Sequence, residues 1–196
     1  MLYLIIILSA MFLIAVINII LNPYFYNFQL WFILTAVVIS TIAVILVSGF
    51  FATLIRHILP KRWFNIDGMK INVSEKEIHF YEKIGVKKWK DYVPELGVFT
   101  GFRKNKVSEP KNVKFVERYI LEIHYGIYVH LVSVFASFTI IFIYPLKYCL
   151  FFGVPVAIVS VILHLMPLFI LRYNLPKLKK IRGFLINKKN DAKSVA

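Results

Sequence analysis

The chain has 196 residues, of which 59% are hydrophobic, and its formal net charge is +14. An ordinary soluble domain has about half of its residues apolar, whereas here the first 55 residues carry no charged side chain at all. These properties exclude a soluble globular domain and predict an all-α integral membrane protein with four transmembrane helices.

The charge balance and the single cysteine restrict the possible partners. The 24 Lys and Arg residues flank the apolar blocks, so we interpret them as contacts with anionic lipid headgroups and expect no nucleic acid partner. Cys149 stands alone, which excludes an intramolecular disulfide and a cysteine-based metal site. The sequence contains no P-loop, G-x-S-x-G or His-x3-His pattern, and we expect neither a metal ion nor a cofactor.

Two apolar segments, near residues 2–21 and 30–55, predict an N-terminal transmembrane hairpin over residues 1–55. Each segment is long enough, as a helix, to cross about 30 Å of hydrocarbon. The first segment has no charged residues before it and is longer than the apolar core of a signal peptide, so we interpret it as an uncleaved anchor. Arg56 ends the second segment.

Residues 56–118 form a long polar segment and contain 15 of the 24 basic residues. We interpret them as a basic cytoplasmic and interfacial region between the second and third spans. Ser74 followed by Glu77 is a capping-box pattern, and Gly85 is a typical helix terminator. The sequence therefore predicts a helix over residues 75–84.

The stretch KKWKDYVPEL, residues 87–96, has its apolar side chains on one helical face. These side chains follow the spacing i, i+3, i+4, i+7: Trp89, Tyr92, Val93 and Leu96. Most of the charged residues lie on other faces. The pattern predicts an amphipathic helix at the membrane interface, which Pro94 breaks or restarts.

Two further apolar segments, near residues 126–145 and 147–171, predict a C-terminal transmembrane hairpin over residues 119–174 and a basic cytoplasmic tail over 175–196. The link YPLKY between them is short, so the two helices are expected to be antiparallel. Two prolines of the last span are expected to kink it: Pro155 and Pro167.

The basic residues are distributed unevenly around the predicted spans. Residues 56–118 hold 15 of them and the segment from Arg172 onwards holds 8, whereas the two short links between spans hold Lys147 alone. Cytoplasmic loops of membrane proteins are enriched in Lys and Arg. The asymmetry therefore predicts a multi-pass protein of the cell membrane with both termini in the cytoplasm.

Antiparallel topology places polar residues of the last two spans at common depths. The start of the third span and the end of the fourth lie on the same side of the membrane, and two groups of residues meet there: Glu122 and His124 with Arg172, Tyr173 and Asn174. His130 lies eight residues beyond Glu122, and His164 lies eight residues before Arg172. Both histidines are therefore expected about 12 Å deeper in the bundle.

Purely structural interpretations of these residues remain open. Arg172 can be a basic residue that anchors the cytoplasmic end of the last span. Glu122 can pair with Arg118 at i, i+4 on a helix. His130 and His164 can be packed polar residues that hydrogen-bond between helices. The polarity of these positions therefore does not by itself establish a function.

Helical geometry constrains any site that contains both Glu122 and His124. Residues two apart on a helix point in directions about 200° apart. The two side chains can face one site only if the third helix begins after them, near Tyr125 or Gly126.

Three segments of the chain together resemble one protein family: YEKIGVKKWKDYVPELGVF (81–99), RYILEIHYG (118–126) and MPLFILRYNLPKL (166–178). In this order and spacing they are similar to the glycosyl-diaponeurosporenoate acyltransferase family. Its name comes from the enzyme that completes staphyloxanthin by esterifying a sugar-linked carotenoid with a fatty acyl chain. The residues that carry the similarity are Trp89, Lys90, Asp91 and Pro94, then Glu122 and His124, then Pro167, Arg172, Tyr173, Asn174 and Pro176.

The resemblance implies a membrane-bound O-acyltransferase that transfers a fatty acyl group to a hydroxyl of a glycolipid-like or glycosylated isoprenoid acceptor at the cytoplasmic membrane face. The donor would be acyl-CoA or an acyl-carrier protein. The implied catalytic residues are His124 as general base, Glu122 as its orienter or a second proton acceptor, and Arg172 with Asn174 as the anion-stabilising groups. The implied substrate-binding residues are Trp89, Lys90, Asp91 and Tyr173, and the two deeper histidines placed by topology, His130 and His164, are further substrate-binding candidates.

Two other classes of function remain open. In a non-catalytic membrane scaffold, or a subunit that binds lipid or a partner, the same polar residues would hold helices together. In a transporter subunit, His130 and His164 would line a proton path.

Overall fold

The computed structural model describes residues 2–58, 71–93 and 109–194. Over these residues the chain is predominantly helical and contains no β-strand, which confirms the all-α prediction. Four helical stretches are long and apolar enough to cross a membrane, which confirms the predicted number of spans: Ile5–Phe25, Leu30–Ile58, Val113–Ile143 and Cys149–Asp191.

The described residues form seven α-helices and three shorter helical turns. In chain order the α-helices are α1 (Leu2–Phe25), α2 (Leu30–Ile58), α3 (Glu75–Lys83), α4 (Val86–Trp89), α5 (Val113–Ala136), α6 (Leu146–Tyr148) and α7 (Val154–Ser194). Two 3-10 helices (Lys90–Tyr92 and Ser137–Ile143) and one π-helix (Cys149–Gly153) complete the assignment. The π-helix joins α6 to α7, so the chain is helical without a break from Leu146 to Ser194.

Helices α5 and α7 extend beyond the apolar segments that predicted them. Helix α5 begins at Val113 rather than near residue 126, and α7 continues through basic residues to Ser194 rather than ending near residue 171. The late start near Tyr125 or Gly126, which a site containing both Glu122 and His124 required, is therefore wrong. An apolar run marks the part of a helix that suits hydrocarbon, whereas the backbone hydrogen bonds continue into the polar flanks.

The short helices of the polar segment agree with their sequence signals in part. The Ser74 hydroxyl accepts a hydrogen bond from the Glu77 amide (3.2 Å) and caps α3, and Gly85, with φ of 70°, separates α3 from α4. The predicted amphipathic helix is shorter than expected, because α4 ends at Trp89 and the 3-10 turn after it ends at Tyr92. Pro94 and Leu96 lie outside the described residues.

The described chain divides into two compact units. The first consists of Met1–Leu54 and Val129–Leu165. Its core packs branched aliphatic side chains of α1 and α2 around the fully buried Phe152, and its outer surface is strongly apolar, with Phe12 72% and Leu46 66% exposed. Such large exposed apolar side chains on every helix suit a lipid environment.

Asn18 donates to a backbone carbonyl of this first unit that Pro155 cannot bind. Proline has no amide hydrogen, so the carbonyl four residues earlier, that of Phe151, receives no α-helical bond from it. The Asn18 side chain of α1 is buried and its Nδ2 donates to the Phe151 oxygen (2.9 Å) and to the Ile14 oxygen (2.8 Å). The π-helix lies at the same place. A polar residue in the first span therefore has a structural role.

The second unit consists of Ile55–Tyr128 and Met166–Ala196, and α5 packs antiparallel to α7 within it. A Cβ atom at Gly126 would lie 2.7 Å from Leu171 Cδ1, so the glycine permits close approach of the two helices. Further along, Arg182 Nε binds Glu117 Oε1 at 2.9 Å. These two contacts define which levels of α5 and α7 face each other.

Candidate functional site

His124 lies in the buried stripe of α5. Its neighbours in this stripe, one helical turn apart, are apolar and also buried: Val116, Ile120, Ile123 and Ile127. The His124 side chain is fully buried, and among the described residues neither Nδ1 nor Nε2 has a hydrogen-bond partner. An unsatisfied buried polar group costs about 1–3 kcal/mol, so its presence calls for an explanation beyond packing.

The register of the helix pair places His124 opposite the polar end of the last span. Position 126 faces 171 and position 117 faces 182, so His124 lies at the level of Tyr173 and Asn174. This is the level at which antiparallel topology predicted that the two polar groups would meet. Asn174 is partly buried there.

Glu122 lies on a different side of α5 from His124. The helix is continuous through both positions, so their side chains point about 200° apart. The Glu122 carboxylate binds Arg56 Nη2 of α2 at 3.3 Å, and it does not pair with Arg118. The structure therefore brings Glu122 to Arg56 rather than to the imidazole that it was expected to orient.

Arg172 is bound by a carboxylate that the sequence reasoning did not connect with it. Its Nε and Nη2 both donate to Glu77 of α3, with 2.8 Å between Nη2 and Oε2, and Nη2 also approaches the Asn72 carbonyl oxygen at 3.4 Å. The Tyr81 hydroxyl donates to the same carboxylate. The side chains of Arg172 and Glu77 are 25% and 23% exposed. Arg172 therefore already has a counter-ion.

This network shifts the pKa values of two side chains of α3, Glu77 and Tyr81. The hydrogen bonds from Arg172 hold the pKa of the Glu77 carboxyl below its usual range. Burial raises the pKa of the Tyr81 phenol, and the neighbouring Glu77 carboxylate raises it further. Glu77 is thus ionised and Tyr81 is neutral. The sequence signalled Glu77 only as a capping-box residue, because its partner is 95 residues away.

Trp89 and Tyr173 belong to one apolar cluster between the short helices and α7. Its buried members are Tyr81, Val86, Val93, Ile170 and Tyr173, and Trp89 packs against them. Trp89 Nε1 donates to the Ile84 carbonyl (3.0 Å), whereas Tyr92 is 74% exposed. Of the predicted apolar face, Trp89 and Val93 therefore pack in the cluster with α7, whereas Tyr92 is exposed. Lys90 and Asp91 lie in the 3-10 turn beside it.

Lys179 of α7 was not among the predicted site residues. It is partly buried, and its Nζ donates to the Ile71 carbonyl oxygen at 3.1 Å. Within the part of the chain that the structure describes, it pairs with no carboxylate. The sequence has 24 Lys and Arg residues, and no motif around Lys179 sets it apart from the others as a site residue.

His130 and His164 form a separate polar cluster in the first unit. Their Nδ1 atoms are 3.4 Å apart, and Ser48 Oγ lies 3.1 Å from His164 Nε2. The expected equal depth of the two histidines is therefore confirmed. Each unit contains its own polar group: the histidine pair in the first, and His124 with Lys179 and the Arg172 network in the second.

No group of three or more His, Cys, Asp or Glu side chains suited to a metal ion occurs in the described ranges.

Comparison with known proteins gives one finding. The model of the glycosyl-4,4'-diaponeurosporenoate acyltransferase family matches residues 60–183, which include α3, α4, α5 and most of α7. No curated protein and no protein of known structure matches the chain.

Proposed function

The chain belongs to the glycosyl-4,4'-diaponeurosporenoate acyltransferase family, whose model spans more than half of its length, and from this premise we propose that it is a membrane-bound O-acyltransferase. Family membership implies an acyltransferase acting on glycosyl diaponeurosporenoate. The proposed reaction moves a fatty acyl group from a thioester, acyl-CoA or acyl-carrier protein, to a hydroxyl of a glycosylated isoprenoid or similar glycolipid.

The observation that carries this proposal is the unpartnered, fully buried imidazole of His124. A neutral imidazole nitrogen can take the proton from the acceptor hydroxyl while that oxygen attacks the thioester carbonyl carbon. The tetrahedral intermediate then collapses and the carbon–sulfur bond breaks. The thiolate leaves as a thiol with the proton that His124 had accepted, so the products are an ester and a free thiol.

The neighbouring residues receive different roles from those implied by the resemblance. Asn174, at the level of His124, is the amide proposed to donate to the substrate oxygens. Arg172 is proposed to be a positioning residue, because its bonds to Glu77 hold α3 against α7. Glu122, bound to Arg56 on another side of α5, receives no catalytic role.

The proposed location is the cytoplasmic face of the cell membrane. The basic residues favour cytoplasmic placement of residues 56–118 and of the chain beyond Arg172. His124 and Asn174 lie near these basic flanks of their spans. A site at this level gives a water-soluble thioester donor access from the cytoplasm while the apolar acceptor stays in the bilayer.

A non-catalytic scaffold is the second candidate function, and the burial of His124 favours it. An imidazole with no exposed surface must be uncovered before a substrate reaches it. Arg172 and Trp89 are likewise engaged in contacts within the chain. In a scaffold these residues would only hold the helices together.

Substitution of His124 separates the two functions. Lipid profiles of a deletion strain would first identify the acylated product, and formation of that product would then be measured in membranes containing H124A. The loss of a general base predicts a decrease of about 10²- to 10⁴-fold at normal protein level. His79, an exposed histidine of α3, provides the matched control H79A. Normal acylation by H124A would contradict the catalytic role, and a fall in protein level alone would favour the scaffold.

A further inference from the structure

We propose that Lys179 is the cation that stabilises the oxyanion formed on the acyl donor during the transfer, an inference that rests on the proposed function. The resemblance implied Arg172 for this task. The contacts of the basic residues on α7 favour Lys179 instead.

The described part of α7 contains three partly buried basic residues, and two of them have carboxylate partners. Arg172 binds Glu77, and Arg182 binds Glu117 at 2.9 Å. Lys179 binds the Ile71 carbonyl at 3.1 Å, which is a neutral acceptor. An ammonium group has three N–H donors, so this bond leaves two for another acceptor. Lys179 is therefore the cation of this set whose charge a described carboxylate does not neutralise.

The register of α5 and α7 places Lys179 close to His124. Lys179 lies three residues before Arg182, whose partner Glu117 is on α5, so its own level on α5 is near Tyr119 and Ile120. His124 is thus about one helical turn away, roughly 7 Å along the axis, which a lysine side chain can span.

The reaction develops negative charge where a cation beside His124 can act on it. When the acceptor oxygen bonds to the thioester carbon, the carbonyl π-electrons move to the carbonyl oxygen and make it an oxyanion. A lysine held partly out of water stabilises this charge more than the neutral ground state, which lowers the barrier without tightening substrate binding. When the carbon–sulfur bond breaks, the electron pair of the oxyanion re-forms the carbonyl, and the departing sulfur carries the charge until it takes the proton from His124.

The test compares K179Q with K179R and with K180Q in purified full-length protein. Lys180 is the exposed neighbour of Lys179 and provides a control of equal charge change. The assay uses palmitoyl-CoA as donor and a geranylgeranyl glucoside as acceptor. We expect K179Q to lower kcat by about 100-fold or more with little change in KM for palmitoyl-CoA, as for loss of an oxyanion donor. K179R should retain most of the activity, and K180Q should match the wild type.

Three results would overturn the inference: an unchanged kcat in K179Q, an effect confined to KM, or a K179R enzyme as inactive as K179Q at equal thermal stability. Binding of hexadecylphosphonate, an anion resembling the tetrahedral intermediate, provides a second measurement that needs no turnover. We expect the wild type and K179R to bind it at least 10-fold more tightly than K179Q, and equal affinities would contradict the role. A wild-type protein that forms no ester from any thioester would refute the proposed function, whereas an active enzyme indifferent to Lys179 would refute this inference alone.

Discussion

The ion pair between Glu77 and Arg172 gives a direct measure of how α3 is held against α7. Both side chains are about three-quarters buried, at 23% and 25% exposure. Exposed ion pairs contribute about 0.2–1 kcal/mol, whereas breaking a buried pair costs about 3–5 kcal/mol. The burial of this pair lies between these two cases, and Arg172 donates two hydrogen bonds to the Glu77 carboxylate. We therefore expect a coupling free energy of about 2 kcal/mol between the two residues.

The assay is a double-mutant cycle on E77A, R172A and the double variant. The free energy of unfolding would be measured in mixed micelles by titration with SDS. Each single variant leaves one charge partly buried without its partner, so the double variant should be destabilised less than the sum of the two. E75A is the control, because Glu75 lies exposed in the same first turn of α3. Its removal should change the free energy of unfolding by about 0.5 kcal/mol at most.

Two outcomes would refute the reasoning. A coupling free energy below about 0.5 kcal/mol would show that the pair behaves as an exposed ion pair. Alternatively, R172A could abolish acylation at normal stability while E77A leaves it unchanged. Arg172 would then act on the substrate, as the family resemblance implied, rather than on α3.

Three further predictions concern other parts of the molecule. Because the pKa of Glu77 is lowered in the fold, its stabilising contribution is present above its unfolded pKa near 4.5 and is lost as the pH falls through the lower folded pKa. The unfolding free energy should therefore fall less in E77Q than in the wild type when the pH is lowered. Equal falls in the two proteins would contradict this. N18L should lower stability by about 1–2 kcal/mol, because the Phe151 carbonyl loses its donor, and P155A should restore part of the loss by supplying a backbone amide; additive effects would show that the two residues are independent. Reporter fusions at Asn27 and at the C-terminus should report opposite sides of the membrane, and a common side would contradict cytoplasmic termini.

Local patterns in the sequence were sufficient for the secondary structure and the class of protein. Apolar runs predicted four spanning helices, because a helix in hydrocarbon must be apolar over its whole crossing. The capping box at Ser74 and the glycine at position 85 predicted α3 and its end, because caps depend on residues only three or four positions apart. Antiparallel topology predicted the common depth of His130 and His164. The resemblance led to the family that the matched model shows.

The partners of the polar residues were decided only by tertiary structure. Arg172 meets Glu77, Glu122 meets Arg56 and Lys179 meets the Ile71 carbonyl, across 95, 66 and 108 positions of the chain. Periodicity tells which face of a helix is polar, but it carries no information about which distant side chain packs against that face. The start of α5 at Val113 likewise could not be predicted from hydropathy, because charged residues are interspersed in its first turns. That start separates Glu122 from His124, and so the composition of the site depends on helix packing that no local pattern encodes.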